Sequence, residues 1–537
     1  MNLPEPFEIE VVTRHGTLCR ADVYLPYDYH AQVPVLLAAS PYQKALMHLP
    51  SVWSFPFRET GPVDLYLAEG YGFVWMDVPG SGRSEGSWDP VSRQEGEAIH
   101  DVIEWVAEQD WCSGKIGMYG QSYYCWSQWN AARTKPPHLA TIAAFDGATD
   151  MYRDWMYHGG IPVLTFVASW TTTTMLQHQA TGHDVRGGGR HLLASEIYAH
   201  PLDDDWHRAR SPFWELDQVA IPVFSIGCWG KGPLHLRGNV LGYDRVRGPK
   251  QLLITHPDSF PAAQRLFADP AFHQHELLPW YDHHLKGADN GVMERPQVRF
   301  YVQGEDTYRS AQSWPPADAT STSFFLCGEH SGSVSSLNDG SLTETAPSSP
   351  EDSFSWSYPD PQWMAGVTTF DERGHPDHVA RVSTYTTPPF DRDREFTGQG
   401  LLLLYASTDQ TDLDVYAKLS ILFTGPDGVP ARRVSQGWLR ASHRAEDPQL
   451  SSDLRPFHAH EVEEPLEPGR AYELRVELLP MSFLVHRGER LRLELANADS
   501  SASEGLFHHW YGLKVGTDTY HHDAAHPSRL VLPERPR

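Results

Sequence analysis

The stretch 114–132, GKIGMYGQSYYCWSQWNAA, constrains the fold more than any other part of this chain. An apolar run at 116–119 meets Gly120 and then Ser122, and an aromatic segment of helical character follows, the pattern of a buried strand entering a helix through a tight turn. A serine at such a turn is held in a strained backbone conformation, with its hydroxyl projecting above the sheet edge. The Tyr123 N–H then lies at the helix N-terminus, where unpaired donors and the helix dipole both favour an oxyanion. The pattern G-x-S-x-G is only partly met, because Tyr124 stands where the second glycine belongs.

The flanking sequence supplies the sheet that such a turn needs. Residues 7–26 read as a hairpin around Arg14-His15-Gly16, and 33–39 (VPVLLAA) is a short continuous apolar run that stops at Ser40-Pro41-Tyr42. A strand ending on the same sheet edge as Ser122 could deliver the Tyr42 hydroxyl there as a donor. Residues 71–78 form another buried strand, followed by the glycine-rich loop PGSGRSEG at 79–86, which lacks both the Walker lysine and G-x-G-x-x-G spacing and so is not a phosphate loop. Ile99, Val102, Ile103 and Val106 place one apolar face on a helix at 95–111. Further strands follow at 140–145, ending at Asp146-Gly147, at 221–227, and at 251–255, which runs into His256. Strands alternating with helices predict a parallel α/β sheet built from 1–150 and 216–297. Residues 151–215 interrupt the alternation and predict a mostly helical cap over the sheet edge. From 298 to 537 short alternating segments separated by Gly, Pro, Asp and Ser predict an all-β sandwich of jelly-roll type, with 329–352 as a polar connection.

Composition excludes several functions. A formal net charge of -26 without a Lys/Arg-rich run argues against nucleic acid or an anionic membrane as partner. No apolar stretch approaches the ~18 residues that cross a bilayer, and the first residues show no secretory pattern, so a cytoplasmic protein is expected. The five cysteines are scattered and lack C-x-x-C spacing, which suits a reducing compartment and offers no zinc site. The pairs His283-His284 and His521-His522 are adjacent in sequence and so point in different directions. No metal and no cofactor are expected. Homo-oligomerisation stays open.

A serine nucleophile needs a base within hydrogen-bond reach and an acid to orient that base. His256, closing the last buried strand, fits the base by position, with His235 as its competitor. The loop after 221–227 reads Cys228-Trp229-Gly230-Lys231 and holds no carboxylate. Asp146, at the end of the preceding strand, is therefore preferred as the acid over Asp258.

These motifs have a counterpart in a known family. SPYQK at 40–44, MDVPGSGRSEG at 76–86, EWVAEQDWCSGKIGMYGQSYYC at 104–125, DHHLKGADNG at 282–291, and STYTTPPF, GWLRASHR and HPSRLVLP in the last third together resemble the cocaine esterase and X-Pro dipeptidyl-peptidase family, the CocE/NonD hydrolases. The resemblance covers nearly the whole chain. It implies an α/β-hydrolase domain with a helical cap and a C-terminal jelly roll, cleaving esters or amides through an acyl-enzyme. It also implies Ser122 as nucleophile, with the Tyr42 hydroxyl and the Tyr123 N–H holding the oxyanion. The chain departs from the family where G-W-x-D becomes Cys228-Trp229-Gly230-Lys231, where G-P-W-x-H becomes Thr255-His256-Pro257-Asp258-Ser259, and where Cys125 replaces a glycine. The expectation is a serine hydrolase of a small hydrophobic ester, lactone or amide, with Trp126, Trp155 and Trp170 lining the pocket. Acyl transfer at the same site and a non-catalytic binding protein are the alternatives.

Overall fold

The computed structural model describes residues 3–46, 59–180, 193–334, 336–358, 380–423, 431–499, 506–509 and 516–537. Within these, two large sheets divide the chain. The first is ten-stranded. It begins with the hairpin β1 (Phe7–Val12) and β2 (Leu18–Tyr24), then β3 (Val33–Ser40), β4 (Gly72–Asp77), β5 (Cys112–Met118) and β6 (Leu139–Phe145). A two-residue hairpin, β7 (Tyr157–His158) and β8 (Ile161–Pro162), lies apart. The sheet then resumes with β9 (Val223–Cys228), β10 (Lys250–Thr255), β11 (Val298–Val302) and β12 (Thr307–Ala311), and its spatial order is β1-β2-β4-β3-β5-β6-β9-β10-β11-β12.

From β4 through β11 every neighbour is parallel, so the carboxyl ends of β3, β5, β6, β9 and β10 share one edge. Strands β3, β4, β6, β9 and β10 are almost wholly buried on both faces, which is why they read as apolar runs. Helix α1 (Val63–Ala68) precedes β4, and α2 (Arg93–Ala107) buries Ile99, Val102, Ile103 and Val106, with the Ser92 side chain capping it by accepting from the Glu95 N–H. Helix α3 (Tyr123–Ala132) is buried along its whole length, which explains its lack of amphipathic pattern.

Between β6 and β9 the chain leaves the sheet through a π-helical turn at Tyr152–Met156, the small hairpin, helix α4 (Thr165–Ala180), and helices at Leu193–Ala199 and Asp205–Arg210. Buried ion pairs tie this insertion down. Arg153 meets Asp150 at 2.8 Å and Asp203 at 2.9 Å, and its guanidinium also donates to the carbonyls of His458 and Ala459 in the second half of the chain.

The first sheet continues past residue 298, where the second domain is predicted to begin. Strand β11 pairs with β10 and β12 with β11, so both extend the first sheet. Their alternating burial, with Val298, Phe300 and Val302 inward, imitates the sandwich strands that follow. The second part is an eleven-stranded, largely antiparallel all-β domain organised around the long strand Arg394–Thr408, which pairs with Tyr472–Val485, Arg529–Arg535 and Gly516–His521. Its core includes Leu402, Leu404, Leu474, Val476, Leu478, Leu491, Leu493 and Leu495. The predicted polar connection at 329–352 contains a strand, Ser336–Thr343, which pairs with Thr320–Cys327 and Ala380–Thr386 and buries Leu342 in the core.

Candidate active site

Ser122 sits between β5 and α3 with φ 63° and ψ -117°, a conformation that a non-glycine residue adopts only when its surroundings enforce it. The enforcement is visible. The Ser122 N–H donates to the carbonyls of Phe145 (3.2 Å) and Asp146 (3.0 Å), and the Gln121 N–H donates to the carbonyl of Glu59 (2.8 Å). Gly120, at φ +120°, is required because a Cβ there would stand 2.4 Å from that of Tyr124. Tyr124 fits in place of a second glycine because its hydroxyl reaches across to accept from Trp75 Nε1 at 3.0 Å. Close approach occurs instead at Gly147, where a Cβ would fall 2.2 Å from Cys125 Sγ.

The structure brings the other candidate histidine to the serine. His256 follows β10 but is exposed, and its Nδ1 engages the Tyr308 hydroxyl at 3.2 Å. His235 instead lies 3.3 Å from Ser122 Oγ through Nε2. It belongs to a buried π-helical turn, Gly232–Leu236, in the loop after β9, where sequence reasoning looked for a carboxylate and found none. His235 Nδ1 accepts a hydrogen bond from Trp126 Nε1 at 3.3 Å. Indole N–H is a donor only, so the ring proton of neutral His235 resides on Nε2 and points at the serine. Burial, then the nearby Lys231 charge, hold this imidazole well below its usual titration range.

Asp146, the preferred acid, is fully buried at the end of β6, and its carboxylate accepts from Gln121 Nε2 (2.8 Å) and Cys228 Sγ (3.5 Å) and pairs with Lys231 Nζ at 3.4 Å. No histidine contacts it among the described residues. The Asp146 carboxyl is raised from its usual range, by burial above all, with Lys231 and Gln121 opposing. Asp258, the other candidate acid, is exposed. Lys231 is itself buried, its Nζ 4.3 Å from the centre of the Phe260 ring.

Glu59 completes the site and escaped sequence reasoning altogether. It belongs to no motif; only the vacancy after β9 hinted that a carboxylate must come from elsewhere. The residue is buried, and its backbone carbonyl accepts from the Gln121 N–H at 2.8 Å. Burial pushes this carboxyl up to about 7, against the opposing pull of Lys231, Ser122 and the Tyr123 N–H.

Tyr42 follows β3, the strand next to β5, and is buried with its ring edge-on to Tyr123 (centroids 5.8 Å apart). Its hydroxyl accepts from Trp170 Nε1 at 3.0 Å, and its titration is raised first by burial and then by the Glu59 charge, which places the two groups in one electrostatic environment. The three tryptophans expected at a pocket do meet. Trp126 stacks on Trp155 at 5.2 Å, and Trp170 lies edge-on to both, at 5.8 and 5.4 Å. The aromatic surface continues through Phe166 and Phe507 to Phe260 and the His235 ring. Sheet, insertion and all-β domain all contribute to it.

Elsewhere, His521 and His522 point apart, one to Ser407 at 2.8 Å and the other to Asp352 at 3.0 Å. His521, Asp523 and His526 form the one group with metal-ligand spacing among the described residues. No helix among the described residues is long and apolar enough to cross a membrane.

Comparison with known proteins agrees with this architecture. Residues 15–259 match the X-Pro dipeptidyl-peptidase (S15 family) model, and 290–531 match the X-Pro dipeptidyl-peptidase C-terminal non-catalytic domain. A cocaine esterase from Rhodococcus sp. (strain MB1 Bresler) is 26% identical, over 98% of this chain and 97% of its own. A CocE/NonD family hydrolase from Staphylococcus aureus superposes with a TM-score of 0.83 at 25% identity, covering 99% of this chain and 94% of that one. An aminopeptidase from a marine sediment Thaumarchaeota archaeon shares the fold, with a TM-score of 0.76 at 16% identity over 100% and 97% of the two chains. With an N-terminal α/β sheet carrying a strained serine and a C-terminal all-β domain each matched in turn, the chain belongs to the CocE/NonD, X-Pro dipeptidyl-peptidase-like family of esterase- and peptidase-type hydrolases.

Proposed function

We propose that this protein hydrolyses an ester or amide bond of a small substrate with an apolar acyl group, through an acyl-enzyme on Ser122. One observation carries the reading: a strained, non-glycine turn presents the Ser122 hydroxyl to a buried imidazole at 3.3 Å, at the parallel-strand edge and beside an aromatic wall. Strain of that kind persists only where the fold enforces it, and it serves to expose a nucleophile.

Ser122 Oγ attacks the carbonyl carbon, and the Tyr42 hydroxyl and Tyr123 N–H stabilise the resulting oxyanion. The leaving group departs with a proton and water then releases the acid. Trp126, Trp155 and Trp170 favour a flat or branched apolar group, since aromatic walls bind by burial and edge or face contacts. Only this chain's residues are needed for the step, and no cofactor enters it.

The relatives point the same way: a cocaine esterase acts on an ester, and X-Pro dipeptidyl-peptidases act on peptides. The test is covalent labelling. A fluorophosphonate incubated with the protein is expected to add one adduct by intact mass, located on Ser122 by peptide mapping and absent from Ser122→Ala. No adduct at millimolar probe would instead support a binding protein, which the lysine in the acid's place and the Asp146 carboxylate's distance from any histidine would then explain.

A further inference from the structure

The loop after β9 serves two places at once. Lys231 and His235 reach into the candidate active site, one to Asp146 at 3.4 Å and the other to Ser122 at 3.3 Å. Their neighbours Trp229, Gly230, Pro233 and Leu236 line a different cleft, of about 280 Å³, whose far wall is the all-β domain with Val434 and Leu479. That volume lies at the small end of what ligand pockets enclose. Both walls are fixed by the fold. At the junction Gln303 donates its N–H to the Ser482 carbonyl at 3.1 Å and accepts from the Leu484 N–H at 2.8 Å, and the Ser435 hydroxyl donates to the Leu479 carbonyl at 2.7 Å. A preformed cleft spares a ligand the cost of ordering it.

Opposite charges line the cleft from different parts of the chain. Arg432, on the strand Ala431–Arg440, lies over the Phe423 ring, 5.4 Å from its centre, and forms no ion pair among the described residues. Asp258 is kept at the cleft by the Gly230 N–H, which donates to the Pro257 carbonyl at 2.8 Å. It too forms no ion pair among the described residues, either with Arg432 or with another cation. Arg433, also in the lining, is exposed and already has an interaction partner. On the same wall as Arg432, Gln436 buries an Oε1 with no hydrogen-bond partner, a penalty that a donor entering the cleft removes.

We propose that this cleft is an effector site for a small zwitterion, a free α-amino acid with an apolar side chain. The ligand carboxylate pairs with Arg432, its ammonium pairs with Asp258, and its side chain covers Trp229 and Leu479. Such a molecule satisfies both charges at once and adds no net charge to the junction. A simple acid meets repulsion from Asp258 and a simple amine meets it from Arg432, so the pair selects for a ligand that carries both groups. Because one loop lines the cleft and carries His235, occupancy of the cleft steadies the turn that meets Ser122 and is felt in the rate. That effect on rate rests on the hydrolase reading; binding does not.

The experiment is a calorimetric titration of the wild type, Arg432→Gln and Asp258→Asn with L-leucine, 4-methylpentanoate and 3-methylbutylamine, followed by p-nitrophenyl acetate hydrolysis with and without leucine. Leucine is expected to bind once per chain, and the acid and the amine each about tenfold more weakly, as the loss of one charged contact implies. Arg432→Gln brings leucine down to the level of the amine, and Asp258→Asn to that of the acid. Saturating leucine changes kcat with KM little altered. Leucine that binds no tighter than its singly charged counterparts overturns the proposal, as does the absence of saturable heat at millimolar leucine. Undiminished binding in both variants, with leucine raising KM alone, places it in the aromatic pocket and overturns the cleft assignment. Bound leucine that leaves the hydrolysis rate unchanged overturns the effector role. A protein that titrates with leucine as expected but hydrolyses no ester keeps the site and removes only the hydrolase reading.

Discussion

Two strand ends on the same sheet edge, those of β5 and β10, differ in almost everything except their position. After β5 the chain bends through a strained serine, whose N–H is held by the carbonyls of Phe145 and Asp146, and dives into a fully buried helix. After β10 the chain turns outward. Gly230 donates its N–H to the Pro257 carbonyl at 2.8 Å, and a Cβ at Gly230 would stand 2.2 Å from Ser259 N, so segment 257–259 lies directly on the loop following β9. His256 is left facing Tyr301 and Tyr308, which β11 and β12 bring alongside. The lesson is that a residue's place at a strand end says which edge it is near, while the next few residues of backbone decide whether it enters the site. The same two strands that extend the sheet past the expected boundary keep His256 out.

The sharpest way to break this comparison is at the serine. Ser122→Ala should lower kcat/KM by on the order of 10⁴-fold or more, read with any p-nitrophenyl ester the wild type accepts. Next comes the oxyanion side. Tyr42→Phe should lower kcat by about 10²-fold to 10³-fold with KM little changed, because a donor aimed at developing charge acts in the transition state; an effect confined to KM would assign Tyr42 to ground-state binding.

A stability measurement tests the carboxylate independently of activity. The Glu59 carboxyl is raised from 4.5 to about 7, so the folded protein holds a proton that the unfolded chain has released. The stability this represents is fully present below about 4.5 and is lost as pH rises through about 7, amounting to roughly 3 kcal/mol. Glu95 works in the same direction. Burial raises it to about 8, and it accepts the Tyr123 hydroxyl at 2.8 Å. Urea unfolding between pH 5 and 8 should therefore show stability falling with pH, and less steeply in Glu59→Gln. A wild-type curve that is flat over this range would mean that Glu59 is solvated.

The smallest effects separate the two histidines. His235→Ala should reduce kcat/KM by about 10²-fold through loss of the imidazole beside Oγ, and His256→Ala should leave activity within twofold and stability within ~0.5 kcal/mol, as expected of an exposed side chain. A larger loss in His256→Ala than in His235→Ala would restore the strand-end histidine to the site.

Much of this architecture was legible from local pattern. The buried strands announced themselves as apolar runs because parallel strands are covered on both faces, and α2 showed its stripe at Ile99, Val102, Ile103 and Val106. The serine turn was readable because a strand, a glycine and a helix start are contiguous in the chain. The alternation of β11 and β12 is what any half-covered strand shows, and only pairing tells that they join the first sheet. His235 and Glu59 were harder still. One lies in a loop whose sequence offered a lysine in place of an acid; the other stands 63 residues before Ser122 in no motif at all.

By itself, then, the sequence determined the two-part fold and the nucleophile's setting, since both depend on residues within a few turns of each other along the chain. Tertiary structure alone decided which charged groups reach the hydroxyl. Burial, the indole of Trp126 and the Lys231–Asp146 pair set the protonation of His235 and Glu59. Those influences act through space over a few ångströms, between residues that sequence order leaves far apart.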